Sequence, residues 1–461
     1  MYSHLNANWP QFRGLNSLGI APINSIPPTE IKTEKNLVWK IKVANGLSSP
    51  CITNEKIFLT GFNASDSTLI TYCIDQLKGT LMWEKKVIPD TLEKIHTIGS
   101  QATPTPFTDG SFVYIYFGAY GVICYDMEGN LSWEKRLPVL DAQYGSNGSP
   151  IVYDSLLILN RVDRSSPTVL ALNKKNGKKV WESELENTMI GTMSANLSQS
   201  TPVIWNDQII LHRSFQVISL NLKDGKQSWK IETGSTGNST PIIINDTLYV
   251  NCWYNFGNTA LFDSIPEFEK MLSKYDSNRN KLINLNEIPA NMAMFKRPEL
   301  NISTRDTLIP VRGWASGYDS NKDKALNEKE WDNFRAYQLS FLKDHALLAL
   351  KLNPEKTSES PIVLWTEKEN LAEVPSLLKV NNQIYMITNG GIVTCLDSKT
   401  GKLIFRDRLG APGAYISSPI HAGNNIYFAS YNGRITVIKP GEKLNVVGQS
   451  THLREKLGHL L

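Results

Sequence analysis

Short apolar runs alternate with polar turns along nearly the whole chain. Ser-Pro or Thr-Pro stands before an apolar run at Ser49-Pro50, Thr103-Pro104, Ser149-Pro150, Thr201-Pro202, Thr240-Pro241 and Ser418-Pro419. A second run follows each, as in Lys56–Leu59, Leu156–Leu159, Thr247–Val250 and Asn425–Phe428. A third run leads into a turn of the form Asp-x-x-x-Gly-x-x-x-Trp. Its instances are Asp75/Gly79/Trp83, Asn173/Gly177/Trp181, Asn221/Gly225/Trp229 and Asp397/Gly401/Phe405, with a one-residue-shorter version at Asp126/Gly129/Trp133. Asp or Asn bonds nearby backbone to start such a turn, and Gly supplies its positive φ. Each unit therefore predicts β-strands joined by tight turns, with a large aromatic on the outer strand. Strands recurring this closely predict an all-β fold, and a four-strand unit repeated every 40–50 residues predicts a β-propeller blade.

The aromatic anchors Trp39, Trp83, Trp133, Trp181, Trp229, Trp365 and Phe405 are separated by 44, 50, 48, 48, 136 and 40 residues. Residues 259–345 lack the strand pattern and read as polar and helical. Setting these 87 residues aside shortens the long interval to 49, one repeat. They are expected as an insertion between the second and third strands of the fifth blade. Three segments follow: propeller, first part, 1–258; insertion, 259–345; propeller, second part, 346–461. Seven strand sets begin near residues 48, 100, 147, 199, 238, 376 and 416, and Leu37–Ile41 adds an outer strand before the first. The expectation is an all-β propeller of four-stranded blades, seven full repeats plus a split, truncated eighth blade, carrying a small α-helical insertion. The alternative is a seven-blade ring with Trp39 outside it.

Composition narrows the function. The chain of 461 residues has 48 basic and 44 acidic side chains, a net charge of +4. That excess is too small for a nucleic-acid-binding surface, and no apolar stretch reaches the ~18 residues of a membrane helix. The five cysteines form no CxxC pair, which argues against zinc ribbons, dithiol redox chemistry and c-type haem. Cys73, Cys124 and Cys395 recur at one place in the repeat and read as small buried side chains. No phosphate loop or hydrolase elbow is present. The opening Met1–Leu5 carries no leader pattern.

The repeat resembles the pyrroloquinoline-quinone-like β-propeller family. The opening Asn8-Trp9-Pro10-Gln11-Phe12-Arg13-Gly14 is similar to the N-terminal signature of its secreted bacterial members, with Leu15 where Pro is usual; Asn36–Lys40 and Ser48–Pro50 continue the match. The resemblance implies export, to the periplasm or outside the cell, with any leader peptide not present in this chain. Some members are quinoprotein dehydrogenases. Others resemble the propeller lipoprotein of the outer-membrane assembly machinery and bind no cofactor.

The insertion is the most specific feature. Asp276, Asn278, Asn280, Leu282, Asn284 and Glu287 occupy the ligand places of an EF-hand loop, and Asp319, Asn321, Asp323, Ala325, Asn327 and Glu330 occupy them again 43 residues later. Ca²⁺ takes six or more oxygens. Each loop offers side-chain oxygens at its first, third and fifth places, a carbonyl at the seventh (Leu282, Ala325), a ninth residue that can hold a water, and a bidentate Glu at the twelfth. Ile283 and Leu326 would join the two loops as a short β-bridge. Ile265, Phe268, Leu272 and Tyr275 precede the first loop at helical spacing, and Trp331, Phe334, Tyr337 and Phe341 follow the start of the second. Lys281 and Lys324 stand where Gly normally makes the sharp turn, which weakens binding.

These readings predict two calcium sites and a non-enzymatic binding or scaffold module, with an unidentified protein or carbohydrate ligand and a monomeric state. Pyrroloquinoline quinone is not expected: the resemblance implies a vicinal disulfide over the quinone in alcohol dehydrogenases of this kind, no adjacent Cys pair is present here, and the repeat's Asp residues are used as turn formers. A quinone-dependent dehydrogenase of alcohols or sugars is the alternative. The aromatic loops at Trp253–Phe256 and Tyr415 are candidate contact surfaces.

Overall fold

The turns form as their side-chain chemistry dictates. Asp75 Oδ1 accepts from the amides of Leu77 and Lys78 at 2.9 and 2.7 Å, and Asp126 and Asp397 accept two amides each in the same way. The glycines that follow sit at positive φ, from 65° at Gly79 to 84° at Gly129. In the computed structural model, which describes residues 9–450 apart from 23, 191–192, 195, 197, 254–264, 297–307, 341–344 and 412, these turns connect seven four-stranded antiparallel sheets. The sheets span residues 51–87, 107–136, 151–184, 203–232, 242–367, 378–408 and 420–449. First strands of neighbouring blades touch one another, so they gather around a central bore. Met1–Leu5, Asn8, Tyr254–Phe256, Phe341 and residues 451–461 lie outside the described residues.

The fifth sheet pairs Thr247–Cys252 directly with Ala346–Lys351, in register from Thr247↔Lys351 to Cys252↔Ala346. Residues 253–345 lie between these two strands in the sequence and interrupt neither.

Each outer-strand aromatic docks on the next blade. Trp83, Trp133, Trp181 and Trp365 pair with Cys73, Cys124, Ala171 and Ala349 on their third strands, always just before a β-bulge. The bulge increases local twist and turns the indole outward. Indole Nε1 then donates to a turn carbonyl of the following blade: Trp83 to Met127, Trp133 to Lys174, Trp181 to Leu222 and Trp365 to Ser398. Trp229 is the exception. It has the same register, opposite Ser219, and is buried, but among the described residues its Nε1 has no acceptor. The fifth blade's turn, residues 353–361, lacks the Asp-x-x-x-Gly form that presents the carbonyl.

The recurrence of cysteine follows from this register. The residue opposite each aromatic must be small, and Cys, Ala and Ser share the place. All five cysteines are buried and free, and burial pushes the thiols of Cys73, Cys124, Cys252 and Cys395 up to about 12. They are neutral packing groups.

A chain of hydroxyls runs round the bore. The amide of Ser49 donates to Thr105 Oγ1, Thr105 to Ser149, Ser149 to Thr201, Thr201 to Thr240, Thr240 to Ser376 and Ser376 to Ser418, each at 2.9–3.1 Å. In the second blade the structure uses Thr105-Pro106, not the overlapping Thr103-Pro104. In the sixth, Ser376 precedes Leu377, so the Ser-Pro pattern alone passes over it.

The hydroxyl chain ends at Ser49 and Ser418, where an eighth blade would stand. Leu37–Ile41 takes the outer-strand place there: Trp39 packs on the first blade over Gly79 and donates to Gln76 O at 2.9 Å. The outer strand expected at Leu37–Ile41 does not form: among the described residues this stretch has no strand pairing and joins no ladder.

Candidate functional site

The insertion folds around a core of its own. Phe268 and Met271 of the helix Phe268–Tyr275 face Ile283, Ile288, Val311, Leu326, Trp331 and Phe334, all buried. Trp331 Nε1 donates to Pro266 O at 2.9 Å. Phe215, at the tip of the turn between the fourth blade's second and third strands, packs against the same core.

Two loops of like geometry sit on this core. In the first, Asp276 accepts from the amides of Asn280 and Lys281 at 3.2 and 3.0 Å, and Asn280 Oδ1 from Leu282 at 2.9 Å. In the second, Asp319 accepts from Asp323 and Lys324 at 3.1 and 2.9 Å, and Asp323 Oδ1 from Ala325 at 2.8 Å. Asn278 and Asn321, the third-place residues, accept from the fifth-place amides at 3.0 and 3.1 Å. Glu287 splits its two oxygens between the amides of Ser277 and Asn284, and Glu330 between those of Ser320 and Asn327. Ile283 pairs with Leu326 and Asn284 with Ala325, forming the short bridge the eighth-place residues predict. Lys281 and Lys324 take φ of 61° and 66°, the left-handed turn for which Gly is the ordinary choice.

The sequence reading missed one pair. Ser277 and Ser320, in the second place of each loop, also donate their hydroxyls to the twelfth-place Glu. Their identity at matching positions was the available signal. Burial favours the neutral form of Glu287, but the bonds from Ser277 and Asn284 outweigh it and hold its pKa down to about 2. The same balance of burial against donors from Ser320 and Asn327 lowers that of Glu330. Both groups are ionised at neutral pH.

Two features depart from the helical expectation. After the first loop, Ala293–Lys296 pairs with Leu308–Pro310 as a hairpin, and the second loop is preceded only by the short helix Val311–Ala315 and a 3₁₀ turn, Ser316–Tyr318. Pro289, just past Glu287, withholds an amide from a helix there. Among the described residues no three His, Cys, Asp or Glu side chains converge as a metal cluster. Asp319, Asp323 and Glu330 accept from loop amides instead. The donor set is nonetheless all oxygen, two carboxylates in the first loop and three in the second, which suits a hard cation. Of the candidate contact aromatics, Tyr415 is buried and donates to Ala411 O at 2.8 Å, and Trp253 packs inside the fifth-to-sixth-blade core. Neither is a surface.

Residues 68–252 and 359–446, more than half of the chain, match the family described as outer membrane protein assembly factor BamB. The chain belongs to that family. The BamB-family match stops at the fifth blade's second strand and resumes after its third, leaving the insertion and both loops outside it. Among solved structures the chain is similar to BamB from Moraxella catarrhalis, at 11% identity over 87% of this chain and 86% of that one, TM-score 0.48. It is also similar to a europium-containing methanol dehydrogenase (10% identity, 94% and 89% covered, TM-score 0.45). A third is the quinohemoprotein alcohol dehydrogenase ADHIIG from Pseudomonas putida HK5 (12% identity, 96% and 76% covered, TM-score 0.41). No curated protein matches. No helix among the described residues is long and apolar enough to cross a membrane.

Proposed function

We propose that this BamB-family chain is a calcium-binding propeller that acts as a non-enzymatic scaffold for a protein or carbohydrate ligand, in the periplasm or outside the cell. The observation that carries the reading is the agreement of the two inserted loops. They share the donor pattern at the first, third, fifth and twelfth places, the left-handed sixth residue and the bridge between eighth residues. Two loops of unrelated purpose would have no reason to agree at each of these points. Asp276, Asn278, Asn280, the Leu282 carbonyl and Glu287 would hold one ion, with a water at Asn284. Asp319, Asn321, Asp323, the Ala325 carbonyl and Glu330 would hold the other, with a water at Asn327. The cation would replace the loop amides as the partner of these oxygens and brace the insertion on its core. Extracytoplasmic calcium, which reaches millimolar levels, suits loops weakened by lysine at the sixth place. The family's link to outer-membrane assembly supports a scaffold role and an exported location.

Calorimetric titration of the full chain with Ca²⁺ tests the sites; two binding events are expected, and no heat at millimolar Ca²⁺ would defeat the assignment. Incubation with pyrroloquinoline quinone and Ca²⁺, followed by dye reduction with alcohols and sugars, tests the scaffold role. No turnover is expected, and turnover would replace it with a dehydrogenase.

A further inference from the structure

The first described residues occupy the bore. Trp9 pairs in both directions with Ile52 on the first blade's innermost strand, N···O 3.0 and 2.7 Å, and Pro10 O accepts from Thr108 of the second blade at 2.8 Å. The 3₁₀ turn Leu15–Ser17 lies beside Val203–Trp205, the fourth blade's innermost strand, and Leu18 packs on the core shared by the fifth and sixth. Gly19 O accepts from His421, and Ala21 donates to His421 O, on the seventh blade's innermost strand, both at 2.8 Å. Innermost strands present unpaired amides and carbonyls to the bore, and this segment satisfies them.

Arg13 is its centre. The side chain is buried among carbonyl oxygens: Ser17 O at 3.0 Å from Nε, Leu377 O at 2.7 Å and Leu18 O at 3.3 Å from Nη2, and Pro419 O at 3.5 Å from Nη1. Leu377 and Pro419 lead into the innermost strands of the sixth and seventh blades. Burial lowers its pKa to about 9, so it stays charged at neutral pH. The segment adopts this shape under strain, with Arg13, Asn16 and Ser17 at φ of 61°, 54° and 57°. Gly14, at φ 69°, lies under the Trp9 ring, where a Cβ would come within 2.7 Å of Cε3. A strained backbone persists only where its surroundings over-determine it.

This segment bridges the first and seventh blades of the ring. Among the described residues the ring's hydroxyl chain runs from Ser49 to Ser418, and a 480 Å³ cavity lined by Trp9, Ala21, Pro22, Ser25, Ile52 and Gln76 lies between the N-terminal segment and the first blade. Beyond the bore, the segment covers the exposed side of the seventh blade. Tyr427 donates to Pro27 O at 2.8 Å, and Gly448, opposite Val437 where other blades carry the docking aromatic, leaves room for Thr29.

We propose that residues 9–21 are an intramolecular peptide ligand of the bore, recognised through the Trp9 backbone and the Arg13 guanidinium, and that their binding clasps the first blade to the sixth and seventh. The same site would accept a Trp-Pro-Gln-Phe-Arg-Gly peptide supplied in trans. This inference does not depend on calcium.

The test is a full chain with a protease site between Pro22 and Ser25, cut after purification. The N-terminal fragment should stay bound through gel filtration, and the cut protein should keep the melting temperature of the uncut one. With Arg13→Ala the fragment should be lost and the melting temperature should fall. A synthetic peptide of residues 9–21, added to the fragment-free body or during its refolding, should restore the melting temperature, and its Arg13→Lys version should bind at least tenfold more weakly. A wild-type fragment that leaves without changing stability would overturn the proposal. So would a body that neither binds the peptide nor refolds with it, or one that binds the Arg13→Ala and wild-type peptides equally.

Discussion

Trp133 of the second blade lies across Gly177 of the third so closely that a Cβ on Gly177 would sit 2.5 Å from the indole Cε3. The same contact joins Trp83 to Gly129, Trp181 to Gly225 and Trp365 to Gly401. One glycine thus serves two ends: it makes the turn at positive φ and leaves the floor on which the neighbouring blade docks. Gly177→Ala should destabilise the propeller by about 1–3 kcal/mol, from left-handed strain and the displaced ring together. Gly441→Ala, with nothing within 4 Å of the added carbon, should be near neutral. Thermal melts of the pair check this; similar losses in both would show that the contact is not what matters.

Trp181 is 9% exposed, and its Nε1 is hydrogen-bonded across the blade boundary at 3.1 Å. Trp181→Ala should cost about 3–5 kcal/mol as a buried aromatic deletion. Denaturant midpoints measure it, and a loss below that of Gly177→Ala would contradict the docking account.

The two loops should differ in strength. The second offers three ligand carboxylates, Asp319, Asp323 and Glu330, against Asp276 and Glu287 in the first, and affinity rises with ligand charge. Glu330 is also the more buried, at 6% exposed. Glu330→Gln should lower calcium affinity more than Glu287→Gln, with both sites in the weak range of about 10⁻⁵ to 10⁻³ M. Calorimetry on the two variants decides it, and equal losses would remove the ranking.

Lys324 sits at φ 66° within the second loop and adds a positive charge beside it. Lys324→Gly removes that charge, so Ca²⁺ should bind more tightly at the second loop; the left-handed φ is already present without the ion, so relief of its strain of about 1 kcal/mol stabilises the insertion rather than raising the affinity. An unchanged or weakened Ca²⁺ isotherm would count against the sixth-place reading.

Glu93 gives a pH prediction. Burial raises its pKa, opposed by donation from the Ser146 amide and hydroxyl to Oε1 at 3.0 and 2.8 Å and by Arg161. A carboxyl with a raised pKa binds its proton more tightly folded than unfolded. Its ionisation therefore opposes folding, and the penalty grows as pH rises from the unfolded value near ~4.3 through the folded one. Glu93→Gln keeps an acceptor for Ser146 without the charge. Its melting temperature relative to wild type should climb between acid and neutral pH and then level off. A gap that stays constant from pH 4 to 8 would rule out this linkage.

The sequence by itself determined the repeat and its seven four-strand sets, proposed the insertion and its two loops, and left open whether an eighth, split blade or a seven-blade ring with Trp39 outside it follows. Each rests on short-range chemistry: an Asp or Asn closing a turn with the next few amides, a Gly at positive φ, a period-two strand, twelve residues folding on themselves. Such signals lie within a few residues of one another and need no partner from elsewhere. Tertiary structure alone decided the rest. Thr105 rather than Thr103 joins the hydroxyl chain because Ser49 and Ser149 meet it from the neighbouring blades. Trp229 lacks the acceptor its counterparts have because the fifth blade's turn is built differently. The first loop leads to a hairpin because its pairing strand lies twelve residues further on, past the point where local pattern speaks. Arg13 is caged by Leu377, 364 residues away along the chain. A guanidinium can be held by backbone carbonyls, which every residue carries, so no side-chain pattern marks Leu377 or Pro419 as its partners; only the closing of the ring brings them to it.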